Sequence, residues 1–176
     1  PEVVGLLHSI NDGVAEVTSG LPTRVVAGRD WIEERVAGVT LRLSAAAFFQ
    51  TNTRMTDVLY ERVAEAAGLD GTQVLYDLFA GVGSIGIARA AGAREVVAIE
   101  IVPEAVEDAI RNARANGIAN HTALCGDVGV VLREHRGDGH VLLIAEQLVG
   151  LAVPVRQEHR VDRGHGRPGH PGHQLL

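Results

Sequence analysis

Apolar positions change their period along the chain, and the changes divide it. Short runs fill the first fifty residues: Val3 to Ile10, Val14 to Thr18, Thr23 to Ala27, Trp31 to Val36 and Val39 to Leu43. In the last of these Val39, Leu41 and Leu43 alternate with Thr40 and Arg42, the period of a half-buried strand. Asn11-Asp12-Gly13 predicts a hairpin turn between the first two runs, and Gly38 marks the turn between the last two. From Thr53 to Ala67 the period lengthens. Met55, Val58, Leu59, Val63, Ala66 and Ala67 then share one helical face, with Thr53 as N-cap and Gly68 beyond the end.

Val74, Leu75, Leu78 and Phe79 make a short apolar run of the kind that is buried on both faces of a sheet. Asp77 interrupts it, where an acid is costly without a partner. Gly81, Gly83 and Gly86 follow as G-x-G-x-x-G, with Ser84 placed to cap a helix over Ile85 to Ala91 that Gly92 stops. Glu95 to Glu100 is the next strand. Pro103 opens a further helix that Gly117 closes, with Ala105, Val106, Ala109, Ile110 and Ala113 as its buried stripe and Glu107 and Arg111 as an outward pair. Thr122 to Cys125 is a third strand, and His140 to Ile144 a fourth.

This is a β-α-β-α-β succession, half of a doubly wound sheet, expected in the strand order 3-2-1-4. The expected fold class is α/β: a partial core of about four strands preceded by a small antiparallel β subdomain. Three segments are expected: 1–52 antiparallel β, 53–150 the cofactor-binding unit, and 151–176 a disordered Gly/Pro/His-rich tail. A strand, a glycine turn and a helix N-terminus let backbone approach a nucleotide. Glu100 stands nineteen positions after Gly81, where an acid can hold ribose hydroxyls. Taken literally, the fingerprint also fits a nicotinamide dehydrogenase. Asp77 in the first strand and the β segment before the glycines weigh against that.

Composition narrows the classes. All 16 basic residues are arginines, and the formal charge is −6. Residues 1–132 carry ten arginines and seventeen acids, so no overall basic face advertises nucleic acid, although a local patch is compatible with this. Cys125 is the only cysteine, which excludes an internal disulfide and fits a cytoplasmic location. No apolar run is long enough for a membrane span. His165, His170 and His173 lack a second ligand type, so no metal is expected, and the chain is expected to be a monomer.

The strings F-F-Q-T-N, D-L-F-A-G-V-G-S-I-G, A-I-E-I-V-P-E-A-V-E-D-A-I-R-N-A-R-A-N-G and C-G-D resemble those of the S-adenosylmethionine-dependent RNA uracil-5-methyltransferases. The resemblance runs from about Val26 to Leu132. It implies a Rossmann-like methyltransferase core, S-adenosyl-L-methionine as cofactor and ribosomal or transfer RNA as partner. Phe79, Gly81 and Gly83 would line the cofactor pocket, Glu100 would hold the ribose and Asp127 would lie near the adenine. Gln50 would lie where cofactor and target base meet, and Asp77 would orient the turn or the methionine end.

The chain also departs from that pattern. Such enzymes add a cysteine thiolate to carbon 6 of an extruded uracil, activating carbon 5 toward the methyl group. The Asp-Pro-Pro-Arg-like and Ser-Cys-Asn-Pro-like turns expected for this are absent, and A-E-Q-L-V-G stands where the first belongs. Cys125 ends the third strand on the adenosine side, where a small buried hydrophobe is expected. The expectation is a cofactor-binding portion without turnover, followed by a C-terminus that is truncated or out of frame.

Overall fold

The computed structural model describes residues 3–13, 21–45, 47–50, 52–135, 141–145 and 153–155. Four strands come first: β1 (Gly5–Ser9), β2 (Thr23–Gly28), β3 (Trp31–Val36) and β4 (Val39–Ser44). Helix α1 (Thr53–Ala67), strand β5 (Val74–Leu78), helix α2 (Ser84–Arg89) and a 3-10 turn at Ala90–Gly92 follow. Strand β6 (Glu95–Glu100), helix α3 (Pro103–Ala115), strand β7 (His121–Cys125) and helix α4 (Val128–Glu134) come next. Strands β8 (Val141–Ala145) and β9 (Val153–Val155) end the described chain.

The main sheet has the order β7-β6-β5-β8-β9, parallel except for β9. Its first four members reproduce the expected 3-2-1-4. Because side chains alternate across a strand, each strand serves two cores. Leu75 and Val96 pack on the side of α1, α2 and the β3–β4 hairpin. Val74, Tyr76, Val97 and Ile99 pack on the other side, under Val131 of α4. Helix α4 was not expected from sequence; Val128, Val131 and Leu132 supply too few turns to display a period. Strand β9 falls inside the tail expected to lack structure. It pairs with β8, so β8 is not the edge of the sheet.

The antiparallel segment consists of two separate two-stranded sheets, β1–β2 and β3–β4. The partner of β1 is Thr23–Gly28, not Val14 to Thr18, which lies outside the described residues. In β3–β4 the two-residue turn places Ala37 at φ 48° and Gly38 at φ 84°, the left-handed pair that suits a twisted hairpin. The Ala37 N–H donates to Asp57 Oδ1 at 2.7 Å, which ties the turn to α1.

The outer edge of β4 is paired by side chains. Asn116 bonds both backbone groups of Thr40, at 3.0 and 2.8 Å, and Asn112 bonds both of Arg42, at 2.7 and 3.0 Å. Asp108 Oδ2 accepts the Ser44 N–H at 3.1 Å. Four residues of helix rise about 6 Å and two residues of strand about 6.7 Å. A row at 108, 112 and 116 can therefore follow alternate residues of β4, and a helix stands in for a missing strand.

Several local expectations change. Asn52, not Thr53, caps α1, its side chain accepting the Met55 N–H at 3.2 Å. The buried face of α1 is centred on Thr56 and Tyr60, with Leu59, Val63 and Ala67 beside them, while Met55 and Val58 are exposed. Tyr60 was missed because an aromatic with a polar tip does not score in an aliphatic stripe. Ser84 is not a cap: Gly83 takes that position, and the buried Ser84 hydroxyl meets Tyr60 Oη at 2.5 Å. Arg111 pairs with Asp108 more closely than with Glu107. Among the described residues no helix is long and apolar enough to cross a membrane.

Candidate functional site

Parallel register brings the C-terminal ends of three strands together. Leu78 lies beside Ile99, and Glu100 beside Cys125. Phe79, the Glu100–Ile101 corner and Gly126–Asp127 therefore share one edge. The strand order reverses next to β5, and ligands of open α/β sheets bind beyond the strand ends at such a point.

The glycine turn is fixed from both sides. Gly81 and Gly83 have φ 53° and 76°, left-handed values that a side chain opposes. Glu100 Oε2 accepts the Gly81 N–H at 2.9 Å, while Oε1 accepts those of Ile101 and Val102 at 2.8 and 3.0 Å. A carboxylate has about four lone-pair sites. Three are thus committed to backbone, which aims the carboxylate at the turn and leaves roughly one for a ligand hydroxyl.

Asp77 is 1% exposed, and its Oδ2 accepts the Gly86 N–H at 2.8 Å. This geometry fits the turn-orienting alternative of the two roles the resemblance implied. The third glycine is required by the same contact. A Cβ on Gly86 would lie 2.9 Å from both Asp77 Oδ2 and Val96 Cγ1.

Phe79 has φ 56° and is 45% exposed. A bulky residue in the left-handed region is a backbone outlier, the kind of strain that collects at ligand sites. Asp127 is exposed and caps α4, its Oδ1 accepting the Val130 N–H at 3.0 Å. Gln50 is half-buried on the segment Ala47 to Gln50. The Phe48 carbonyl of that segment lies 3.8 Å from where a Cβ on Gly81 would stand. The segment also borders a cavity of about 400 Å³ whose lining includes Gln50, Phe49 and Trp31. Of the two phenylalanines, Phe49 packs on the core and Phe48 is exposed.

Cys125 is exposed, contrary to the buried role expected for it. It occupies the last residue of β7, where the sheet ends, and its thiol faces the Ile101 carbonyl at 3.8 Å. His121, at the start of β7, was not singled out by sequence. Its Nε2 has no hydrogen-bond partner among the described residues and stands 3.4 Å from a Cβ built on Gly83. Burial lowers its pKa to about 4.

The edge suits an adenosine-bearing cofactor. Ile101 and Phe79 expose apolar surface beside the Glu100 carboxylate, and the glycine turn brings bare backbone next to them.

Comparison with known proteins separates the methyltransferase reading from the dehydrogenase one. The profile of the TRM5/TYW2 methyltransferase domain matches residues 33–149. The chain belongs to that family. It is 37% identical over 142 residues to an uncharacterized RNA methyltransferase of Caldanaerobacter subterraneus, covering 81% of this chain and 32% of the relative. A second such protein, from Listeria monocytogenes serotype 4b, is 42% identical over 120 residues, or 68% of this chain and 26% of its own length. The chain thus spans about a third of the length of the curated relatives it matches.

Among solved structures, Trm5b from Pyrococcus abyssi matches with TM-score 0.52 and 26% identity, covering 70% of this chain and 36% of that one. The tRNA (uracil-54, C5)-methyltransferase of the same organism, solved with S-adenosyl-L-homocysteine, matches with TM-score 0.60. That alignment covers 82% of this chain and 41% of the other, and its 22% identity speaks to fold alone. The methyltransferase family agrees with the expected cofactor, S-adenosyl-L-methionine, and disfavours the dehydrogenase reading.

Proposed function

We propose that this chain carries the S-adenosyl-L-methionine site of an RNA methyltransferase, and that the reaction served is methyl transfer to carbon 5 of a uridine. The observation that carries the cofactor site is the bond from the Gly81 N–H to Glu100, which locks the turn and the ribose-binding acid into one unit. RNA as substrate is supported by the names of the relatives, and uridine carbon 5 by the F-F-Q-T-N and N-A-R-A-N-G strings.

The cofactor would supply an electrophilic methyl group on a sulfonium. Glu100 would accept a ribose hydroxyl with its remaining lone pair. Phe79 and Ile101 would cover the nucleoside, Asp127 would border the adenine, and Asp77 would hold α2 in place behind the turn. Gln50 would face the acceptor from the Ala47 to Gln50 segment.

One observation bears on turnover. Cys125 is the only cysteine and ends β7 beside Glu100, which on this reading is the adenosine side, away from where an adduct-forming thiolate is needed. This chain would then bind cofactor without turning over. Calorimetric titration with S-adenosyl-L-homocysteine and, separately, NADH tests the cofactor site: saturable heat with the first and none with the second is expected. Binding of NADH alone would overturn it.

A further inference from the structure

We propose that the cavity between the two hairpins holds one nucleotide of single-stranded RNA, a neighbour of the methylated one. The proposal rests on the RNA reading above and adds a second site to it. The cavity measures about 400 Å³, within the usual range for small-ligand sites. Phe49 and Trp31 contribute apolar walls, and Glu34, Gln50 and Thr53 contribute polar groups.

Beside Trp31 the lining carries one cation, Arg29, together with the acids Asp30 and Glu34. The Arg29 guanidinium carbon lies 4.0 Å from the Trp31 ring centroid and that of Arg42 lies 4.8 Å from it. Guanidinium groups this close to an indole make a cation–π cluster, and aromatic and guanidinium faces are surfaces on which RNA bases stack. Arg42 is partly neutralised by Asp30 at 3.8 Å, whereas the Arg29 side chain has no ion pair among the described residues. Arg29 Nε also lacks a hydrogen-bond partner there.

The backbone is built to hold Arg29 in place. Its N–H donates to the Val4 carbonyl at 3.1 Å. A Cβ on Gly5 would fall 1.9 Å from the Arg29 carbonyl, and one on Gly28 2.2 Å from the Val4 carbonyl. Only glycines permit β1 to press against the β2–β3 junction so closely.

An isolated phosphate would leave the apolar walls uncovered, and an apolar peptide would strand Glu34 and Arg29. A nucleotide satisfies both: the base fills the cavity with its N–H edge toward Glu34, and its phosphate meets Arg29. None of Phe79, Gly81, Gly83, Glu100 and Asp127 lines the cavity, so it is a site separate from the one proposed for the cofactor. The cavity is lined by Ala47, Phe49 and Gln50, whereas it is the Phe48 carbonyl that approaches Gly81, so the occupant is assigned as an adjacent nucleotide.

Trp31 is the only tryptophan, so its fluorescence reports on the cavity directly. A short oligouridylate should change that emission saturably, with and without S-adenosyl-L-homocysteine. Anisotropy of the labelled oligonucleotide should show Trp31→Ala weakening binding roughly 5- to 100-fold, the worth of one stacked base, with Trp31→Phe restoring most of it. Arg29→Gln should lower the slope of log affinity against log salt by about 0.7, one phosphate contact on a single strand. Urea titration of each variant checks folding, and calorimetry with S-adenosyl-L-homocysteine reports the cofactor site independently.

If cofactor binding persists while RNA affinity is unchanged in Trp31→Ala and Arg29→Gln, the cavity assignment falls and the methyltransferase reading stands. Absence of RNA binding by the folded parent, or uridine monophosphate binding as tightly as the oligonucleotide, would also overturn it.

Discussion

Asn112 and Arg42 exchange two hydrogen bonds: the Asn112 carboxamide accepts the Arg42 N–H at 2.7 Å and donates to the Arg42 carbonyl at 3.0 Å. An asparagine amide carries the same donor and acceptor as a peptide group, so it can complete a strand edge. The same amide nitrogen reaches the Val82 carbonyl at 3.3 Å, inside the glycine turn. One buried side chain therefore joins the β3–β4 hairpin, α3 and the cofactor turn. The hairpin leads into Ala47 to Gln50, so this joint also ties the position of that segment to the glycine turn.

Asn112→Ala should destabilise the fold by about 1–3 kcal/mol, because half-buried backbone groups of Arg42 lose their partner. Asn112→Asp keeps the acceptor and loses the donor, and should fall between the two. Urea denaturation measures both. Equal stability of parent and alanine variant would show that the hairpin is held by its apolar residues alone.

The contact between Asp77 and Gly86 predicts a coupled pair. Gly86→Ala forces a methyl against Asp77 Oδ2 and Val96 Cγ1, and overpacking of this kind costs about 1–3 kcal/mol. Asp77→Ala leaves the Gly86 N–H unpaired at a similar cost, about 1–3 kcal/mol. Because the two residues touch, the double variant should lose less than the sum. Strict additivity in a thermal-unfolding cycle would mean that the acid does not govern the turn.

The glycine turn, the acid after β6 and the strand order were legible because each follows from spacing within a few dozen residues. The N-A-R-A-N-G string was visible too, but only as a resemblance. Its physical reason depends on β4, seventy residues earlier in sequence for the Asn112–Arg42 bond, and no local period connects them. The pairing of Tyr60 with Ser84 escaped for the same reason: Ser84 was expected only as a helix cap, and nothing local links it to a residue 24 positions earlier. Cys125 was misjudged because a strand end in a parallel sheet can look apolar in sequence and still open onto the crevice.

Glu100 should matter to cofactor affinity through two routes, its free lone pair and its hold on Gly81. Glu100→Ala should weaken S-adenosyl-L-homocysteine binding by about 1.5–3 kcal/mol, the range for hydrogen bonds to a charged group. Glu100→Gln retains shape but can accept at one atom only, and should lose less. Isothermal calorimetry giving the parent affinity for the alanine variant would remove Glu100 from the site.

His121 makes stability depend on pH in the mildly acidic range. Its folded pKa lies below the ordinary value, about 4 against 6.5, because burial disfavours the imidazolium. The unfolded chain therefore binds the proton more readily. The contribution is complete above pH 6.5 and is lost as pH falls toward 4, amounting to about 3 kcal/mol in full. His121→Asn removes the titration, so its urea midpoint should fall less than the parent's across that interval. Parallel pH profiles for the two proteins would show that His121 is solvated or protonated in the fold.

Turnover supplies the last prediction, and it is negative. Carbon 5 of uracil is a weak nucleophile until a group adds to carbon 6, and holding the cofactor nearby supplies orientation without that activation. Cys125 is exposed, but it lies beside Glu100 in register and its thiol faces Ile101, on the side proposed for the ribose and adenine. A thiolate there would meet the cofactor's nucleoside before it met an acceptor base. Incubated with methyl-labelled S-adenosyl-L-methionine and unmodified ribosomal or transfer RNA, this chain should transfer no label, and Cys125→Ser should behave identically. Label at uridine carbon 5 that vanishes in the serine variant would place the thiol at the acceptor and make this chain an enzyme in its own right.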